Sequence, residues 1–332
     1  MARLTVALLF GGRSSEHTIS CATAGGVLSA IDRSKYDVLP IGITRDGRFT
    51  LQPDVASRFL LNPAAMPVVE DNGTRVHFPE SAASREFTVT DAAGATRSLG
   101  DVDVVFPILH GPFGEDGTVQ GLLELLALPY VGDGVLASAL GMDKHFAKIA
   151  FQAAGIPVAP GITVTAREWA TDAAAVAERV TGLGWPVFVK PARAGSSVGV
   201  TRVTAAGELA AALDVALAED SKALVESAIV GREIECGVLA GRDGGAPRVS
   251  LAGEIVITGR DFYDFDAKYM DAPGIDLVCP TTLTEFELAQ IQDLAARAFE
   301  ALGGAGLARA DFFLTADGFL INALHTTPGL TP

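Results

Sequence analysis

Three stretches of this chain, residues 4–10 (LTVALLF), 36–44 and 102–109, are mostly apolar and of strand length. A strand with one wet face alternates polar and apolar side chains. A nearly unbroken apolar run instead marks a strand buried on both faces, which in a soluble protein means a parallel sheet covered by helices. Residues 15–31 read as a helix with Ser14 or Ser15 as its N-cap, so the chain opens in a β-α-β order. The run at 4–10 superficially resembles a signal peptide. It is too short for one, and Gly11-Gly12-Arg13 follow where a small-residue cleavage site would stand.

At 332 residues the chain has room for two or three domains with real cores. It is 49% hydrophobic and 20% charged, with no apolar run long enough to cross a bilayer, so no membrane partner is expected. A net charge of −15 argues against nucleic acid. It leaves a nucleotide open, since that needs only a few local cations. Cys21, Cys236 and Cys279 show neither paired nor metal-ligand spacing, which fits a reducing cytoplasm. The pattern divides into three α/β or α+β blocks: 1–132, 133–228 and 229–332. Residues 53–100 read as a variable insertion with one hairpin. The second block places short strands at 187–190, 199–203 and 223–226 around an alanine-rich helix near 205–218. The third has strands at 233–239 and 249–257, a polar loop at 258–276, an amphipathic helix at 285–302, and strands at 308–315 and 319–322.

Several constellations could carry chemistry. Lys144 opens a helix after Met142-Asp143, and Lys190 ends a strand just before the loop Gly195-Ser196-Ser197. Backbone N–H groups in such a loop approach phosphate oxygens closely, hydroxyls add donors, and two lysines supply charge. A lone lysine of this kind is ordinarily a solvated surface residue, and a lone Gly-Ser-Ser is ordinarily a hairpin turn. The segment 110–121, HGPFGEDGTVQG, follows a strand's C-terminal end, where open α/β sheets bind ligands; it also suits a plain glycine-rich turn opening a helix. Glu16 and His17 follow the first strand in the same way, or are ordinary first-turn residues. Phe10-Gly11-Gly12-Arg13-Ser14-Ser15 is not a G-x-G-x-x-G motif, which weakens a dinucleotide reading. Arg309 and Asp311 alternate along a strand and share a face, as a structural ion pair or a site for metal and phosphate; the residues alone favour the pair.

Taken in order, residues 11–20, 110–121, 142–144, 189–200, 225–233, 262–269 and 307–314 resemble the D-alanine–D-alanine ligases of the ATP-grasp superfamily. The resemblance spans nearly the whole chain and is weakest at 53–100. The two most specific stretches are His-Gly…Gly-Glu-Asp-Gly…Gln-Gly and Lys-Pro…Gly-Ser-Ser-Val-Gly. It implies an ATP-grasp fold of three domains: an N-terminal α/β substrate-binding domain (1–132), a central domain (133–228) and a C-terminal catalytic domain (229–332), with ATP between the last two. It also implies a homodimer that makes D-alanyl-D-alanine for peptidoglycan from D-alanine, ATP and Mg²⁺, with Mn²⁺ as the substitute.

The resemblance implies roles residue by residue. Lys144 and Lys190 hold ATP phosphates under the loop that carries Ser196 and Ser197. Glu226 meets the adenine amino group, Ser227 to Ile229 line the base, and Glu233 holds the ribose hydroxyls. Glu16 takes the first D-alanine's ammonium, with Ser196 and Tyr269 linked to it, and Lys268 beside Tyr269 argues against a D-lactate preference. His110 lies near the first substrate's carboxylate, while Arg309 and the Gly329 amide stabilise the oxyanion. Asp311 and His325 fall at metal positions. The tail departs from the family pattern: residues 322–329, NALHTTPG, put Ala323 where a metal-binding glutamate stands and His325 where an asparagine stands. Ser227 replaces a common lysine. The chain also stops at Pro332, short of the family's usual last segment. Two alternatives therefore stay open: a D-alanine–D-lactate-type ligase, and a nucleotide-binding protein with impaired turnover.

Overall fold

The structure is a computed structural model, and it describes residues 3–62, 64–258 and 274–329. The chain divides into two compact units, residues 1–139 with 327–332, and residues 140–326.

In the first unit, β1 (Leu4–Gly11), α1 (His17–Ala30), β2 (Tyr36–Ile43) and β3 (Phe49–Leu51) are followed by β4 (Arg75–His77), β5 (Glu86–Thr90) and β6 (Thr96–Asp101). Then come β7 (Val104–Ile108) and α2 (Thr118–Leu125), with α3 (Val135–Met142) after them. The main sheet runs β3-β2-β1-β7, with β1 parallel to both β2 and β7. Both faces of β1 are covered, since alternate residues enter two different cores. Ala7 and Leu9 pack with Ile41 and Val105, whereas Leu8 and Phe10 pack with Cys21, Ala24 and Leu28 of α1. That is the physical content of the unbroken apolar run. The insertion at 53–100 holds more than one hairpin: β4, β5 and β6 form a three-stranded antiparallel sheet. The helix after β1 begins at His17, with Glu16 at the N-cap and no side-chain capping bond. Ser14 is not its cap; its hydroxyl accepts from the Glu16 amide at 3.1 Å and donates to the His110 carbonyl at 2.7 Å.

The second unit continues with α4 (Lys144–Ala153), β8 (Gly161–Thr165), α5 (Ala166–Thr171), α6 (Ala173–Thr181), β9 (Val187–Pro191), β10 (Thr201–Val203), α7 (Leu209–Glu219) and β11 (Lys222–Ser227). There follow β12 (Arg232–Leu239), β13 (Arg248–Val249), β14 (Gly253–Ile257), β15 (Ile275–Val278), α8 (Glu285–Ala301), β16 (Leu307–Thr315) and β17 (Gly318–His325). The run 249–257 is thus two strands, because both pair with β12 at separate registers. The last strand extends to His325 rather than ending at 322. One sheet is ordered β10-β9-β11-β8, and the other β15-β14-β12-β16-β17 with β13 alongside β12. In the first of these, Val187, Val189, Ala223 and Val225 point to one face and pack under α6 and α7. In the second, Ile234, Cys236, Ala310 and Phe312 meet Phe151 of α4 and Ile291, Ala295 and Phe299 of α8. Burying Phe151 and Phe312 completely stabilises by roughly 1.5–3 kcal/mol each. Each sheet therefore has an opposite face available for chemistry.

Burial pushes the thiols of Cys21 and Cys236 up to about 12, so neither is a thiolate at neutral pH.

Candidate active site

At the C-terminal end of β1 the backbone turns through Gly11 and Gly12, both at positive φ, into the first turn of α1. Glu16 is buried here at 5% exposure. Gly111, at φ +72°, lies so close that a Cβ there would stand 2.3 Å from Glu16 Oε2; the glycine makes room for the carboxylate. His110 is buried, with Nε2 3.0 Å from Thr23 Oγ1 on α1. The acidic residues of the 110–121 loop are taken up by its own backbone. Glu115 accepts from the Gly111 amide at 2.6 Å, and Asp116 accepts from Phe113 and Thr118 at 2.8 and 3.0 Å. Gln120 donates to the Gly114 carbonyl at 2.8 Å. The loop is thus self-braced, with buried Glu16 against its Gly111 and buried His110 against Thr23.

His17 has a structural part. Its Nδ1–H donates to the Gly12 carbonyl at 2.7 Å and its Nε2 accepts from the Val69 amide at 3.0 Å, an arrangement that only the neutral ring satisfies. Burial lowers its pKa, and the bond to Gly12 offsets this only in part. Above the unfolded value of about 6.5 the ring is neutral in both states. As pH falls through that value the unfolded chain gains a proton that the folded chain refuses, so stability drops until the folded pKa is reached. Urea midpoints measured from pH 7.5 to 5 are expected to fall less for His17→Gln than for the wild type. Parallel curves would refute the assignment.

In the second unit, the sheet face away from α6 and α7 carries the cationic cluster. Lys190 and Glu226 lie on neighbouring strands, Lys190 opposite Leu224 and Glu226 opposite Phe188, and so project to the same side as diagonal neighbours. Lys190 Nζ bonds Glu226 Oε2, and Lys148 Nζ on α4 lies 2.6 Å from Glu226 Oε1. Glu226 is 4% exposed. Its burial alone would raise its pKa, but the two ammonium groups reverse this and hold it below the usual carboxylate range. Gly161 sits opposite Glu226 on β8, where a Cβ would meet Glu226 Cγ at 2.9 Å. The helix end is fixed separately. Asp143 caps α4 by accepting from His145 and Phe146, and Lys222 reaches it at 2.6 Å.

Lys144 is tied to the loop that follows Lys190: its amide donates to the Ala192 carbonyl at 3.0 Å, and its Nζ to the Ala194 carbonyl. Arg193 anchors the start of this loop on Asp220 with bonds of 2.9, 3.1 and 2.6 Å. Ser196 and Ser197 follow at φ +48° and +60°. Two successive non-glycine residues in the left-handed region cost on the order of 1–2 kcal/mol each, and such backbone persists where a site needs it. Gly199 is required sterically, since a Cβ would meet Pro191 Cγ at 2.7 Å. Beyond β11, the Ser227 amide donates to Pro160 at 2.9 Å and its hydroxyl to Leu183 at 3.2 Å, which fixes the backbone leading to half-buried Ile229.

On the second sheet of this unit, Glu233, Glu235, Arg309 and Asp311 project from β12 and β16 on the face opposite the apolar core. Arg309 makes a bidentate pair with Asp311 at 2.7 and 2.9 Å and touches Glu235 at 3.0 Å. His325 Nε2 lies 3.1 Å from Asp311 Oδ2. The ion-pair reading of Arg309 and Asp311 holds. Desolvation by burial alone would push the Asp311 carboxyl up; Arg309 and then His325 hold it well below the usual range. The residues do not fit the Mg²⁺ or Mn²⁺ that the resemblance calls for. Both Asp311 oxygens already face cations, Ala323 directly opposite Asp311 brings no ligand atom, and among the described residues no group of three or more His, Cys, Asp or Glu could hold an ion. Gly329 is exposed and lies beyond β17, while Lys268 and Tyr269 fall outside the described residues.

Sequence reasoning missed Lys148 and Glu235. Lys148 is one helical turn after Lys144, the i,i+4 spacing that stacks side chains on one face, and Glu235 alternates with Glu233 along a strand.

Two family models cover almost the whole chain: "D-ala D-ala ligase N-terminus" over residues 5–133 and "D-ala D-ala ligase C-terminus" over residues 150–332. The D-alanine–D-alanine ligase of Paenarthrobacter aurescens is 52% identical, the match covering 99% of this chain and 88% of that protein. That of Kineococcus radiotolerans is 53% identical, over 98% of this chain and 89% of that protein. Among solved structures, the VanG D-Ala:D-Ser ligase from Enterococcus faecalis superposes with a TM-score of 0.83 at 34% identity, covering 99% of this chain and 92% of its own. The D-alanine–D-alanine ligase from Coxiella burnetii does so at 0.81 and 35%, covering 100% and 86%. With the two models matching in series and full-length relatives at about half identity, this chain belongs to the D-alanine–D-alanine ligase family and has its ATP-grasp fold.

Proposed function

We propose that this chain joins two D-alanines into D-alanyl-D-alanine for peptidoglycan synthesis, using ATP to activate the first as an acyl phosphate. The observation that carries the reading is one sheet face in the second unit bearing Lys190 and Glu226, with Lys144 fastened to the left-handed Ser196-Ser197 loop. Cations beside a loop of backbone donors suit a polyphosphate, and a buried carboxylate suits an amino group on the base.

A carboxylate is a poor electrophile. Transfer of the γ-phosphoryl group makes the carbonyl attackable, the second D-alanine's amine adds to it, and phosphate leaves with the C–O bond electrons. Lys144 and Lys190 hold the phosphates and offset charge as it moves onto phosphoryl oxygens. Glu226 takes the adenine amino group, Ser227 to Ile229 line the base, and Glu233 takes the ribose hydroxyls. Glu16 receives the first ammonium, with Ser196 and Tyr269 linked to it; His110 faces the first carboxylate and Lys268 the substrate beside Tyr269. Arg309 and the Gly329 amide face the developing oxyanion. A homodimer formed through Leu122, Leu125, Val131 and Leu136 of the first unit, all exposed, completes the proposal; sedimentation of the chain tests it. The reading places the enzyme in the cytoplasm and divides it at 1–132, 133–228 and 229–332.

A second reading, nucleotide binding with slow turnover, is favoured by one observation: the pairing of Asp311 with Arg309 and His325 opposite Ala323. Phosphate release from ATP with D-alanine, and with D-alanine plus D-lactate at several pH values, separates the readings. Lys190→Ala is expected to weaken ATP binding by about 1–3 kcal/mol, the scale for losing a charged hydrogen-bond partner. Unchanged ATP affinity in the folded variant would remove the nucleotide site from this face.

A further inference from the structure

The Lys148–Glu226–Lys190 cluster sets two cations against one carboxylate, and all three side chains are at least 86% buried, with exposures of 9%, 5% and 14%. A net positive charge in such a place is costly unless an anion joins it. The two lysines are not equivalent. Lys190 is the more exposed and is the penultimate residue of the strand that leads into the Ser196-Ser197 loop. Lys148 stands on α4 between Ala147 and Phe151, which are locked into the core under the other sheet. Its Nζ is in ionic contact with Glu226 Oε1 at 2.6 Å. Lys190 can leave Glu226 by a side-chain rotation, whereas Lys148 is held against it by the helix.

We infer that Lys148 is a positioning residue for base selection: when a nucleotide binds, Lys190 passes from Glu226 to a phosphate, and Lys148 keeps Glu226 ionised and aimed as an acceptor for the exocyclic amino group. The inference rests on the nucleotide reading proposed above. Glu226 is deeply buried, and without a cation beside it burial favours its protonated form. A protonated carboxyl has a donor as well as an acceptor and discriminates poorly between an amino and a keto group. Among the described residues, Lys148 is the cation left to prevent this once Lys190 is engaged elsewhere. The exchange also removes the cluster's surplus charge, because the incoming phosphate supplies the missing anion.

The test compares ATP with inosine triphosphate, which has the same phosphates and a keto oxygen in place of the amino group. Binding of each is measured by calorimetry to the full chain and to Lys148→Met, Lys148→Arg and Lys190→Met, each checked for folding by its thermal transition. The wild type is expected to prefer ATP. Lys190→Met should weaken both nucleotides by a similar factor and keep the ratio. Lys148→Met should cut the ATP preference by roughly tenfold or more, the scale of a hydrogen bond to a charged group, and Lys148→Arg should restore it. If Lys148→Met does not fold, Lys148→Gln carries the same expectation. An unchanged ATP-to-inosine-triphosphate ratio in a folded Lys148→Met or Lys148→Gln chain, with ATP still bound, overturns the inference and leaves the nucleotide site standing. Failure of the wild-type chain to bind ATP overturns the nucleotide reading itself and this inference with it.

Discussion

Glu226→Ala is expected to lower the folding stability of the second unit by about 3–5 kcal/mol, the scale for removing one partner of a buried ion pair. A domain's whole stability is about 5–15 kcal/mol, so the variant sits close to unfolding. The physical cause is the pair of ammonium groups left behind. Lys148 and Lys190 are 9% and 14% exposed, and each has Glu226 as its ionic partner. The protein has two tryptophans, Trp169 and Trp185, and both pack against the core of the sheet that bears Glu226. Urea denaturation followed by their fluorescence therefore reads the loss directly. Replacing all three charges together, Glu226→Leu with Lys148→Met and Lys190→Met, should recover most of the stability, because neutral side chains of similar volume carry no desolvation penalty. A loss below about 1 kcal/mol for Glu226→Ala alone would show that the two lysines reach water on their own.

How much of this was legible in the sequence varied with the kind of interaction. The strand at Leu4–Gly11 is readable because it is buried on both faces, and burial on both faces leaves an uninterrupted apolar signature. The strand at Thr96–Asp101 is not, because it is an exposed edge of polar residues held by backbone bonds to β5, which leave no trace in side-chain pattern. The break between β13 and β14 was hidden for a related reason. Ser250 turns the chain by donating to the Leu251 carbonyl and accepting from the Gly237 amide, inside a stretch that otherwise reads as a single strand. In the site, lysines and glycines could be found from their order along the chain. Pairings could not. That Glu226 stands between Lys148 and Lys190 depends on β9, β11 and α4 meeting, three elements separated in sequence by β8, α5, α6, β10 and α7. The Arg309–Asp311 pair was readable because both members sit on one strand at a spacing of two.

Ala323→Glu combined with His325→Asn is expected to raise divalent-ion affinity by at least about 10–100-fold, a factor that even outer-shell changes reach at metal sites. In the present face both Asp311 oxygens are taken up by Arg309, and His325 Nε2 approaches Oδ2 at 3.1 Å. A hard ion such as Mg²⁺ seeks several oxygen donors and carboxylate charge. Ala323 lies directly across from Asp311 in the β16–β17 register, so a glutamate at that position brings a second carboxylate to the same spot. Removing the imidazole at the same time frees Asp311 Oδ2 and replaces a nitrogen donor with an amide oxygen. Position 323 lies in β17 beside an irregularity that skips Asn322 yet keeps Ala323 opposite Asp311, and position 325 ends the strand. Mn²⁺ titration followed by electron paramagnetic resonance, with and without ATP, measures the affinity apart from any activity. ATP-dependent phosphate release with D-alanine should then rise by orders of magnitude in the double variant, since each bound cation offsets charge that builds on the phosphoryl oxygens. Equal Mn²⁺ affinity in the two proteins would mean that Arg309, still paired to Asp311 and Glu235, keeps the face closed to cations whatever stands at 323.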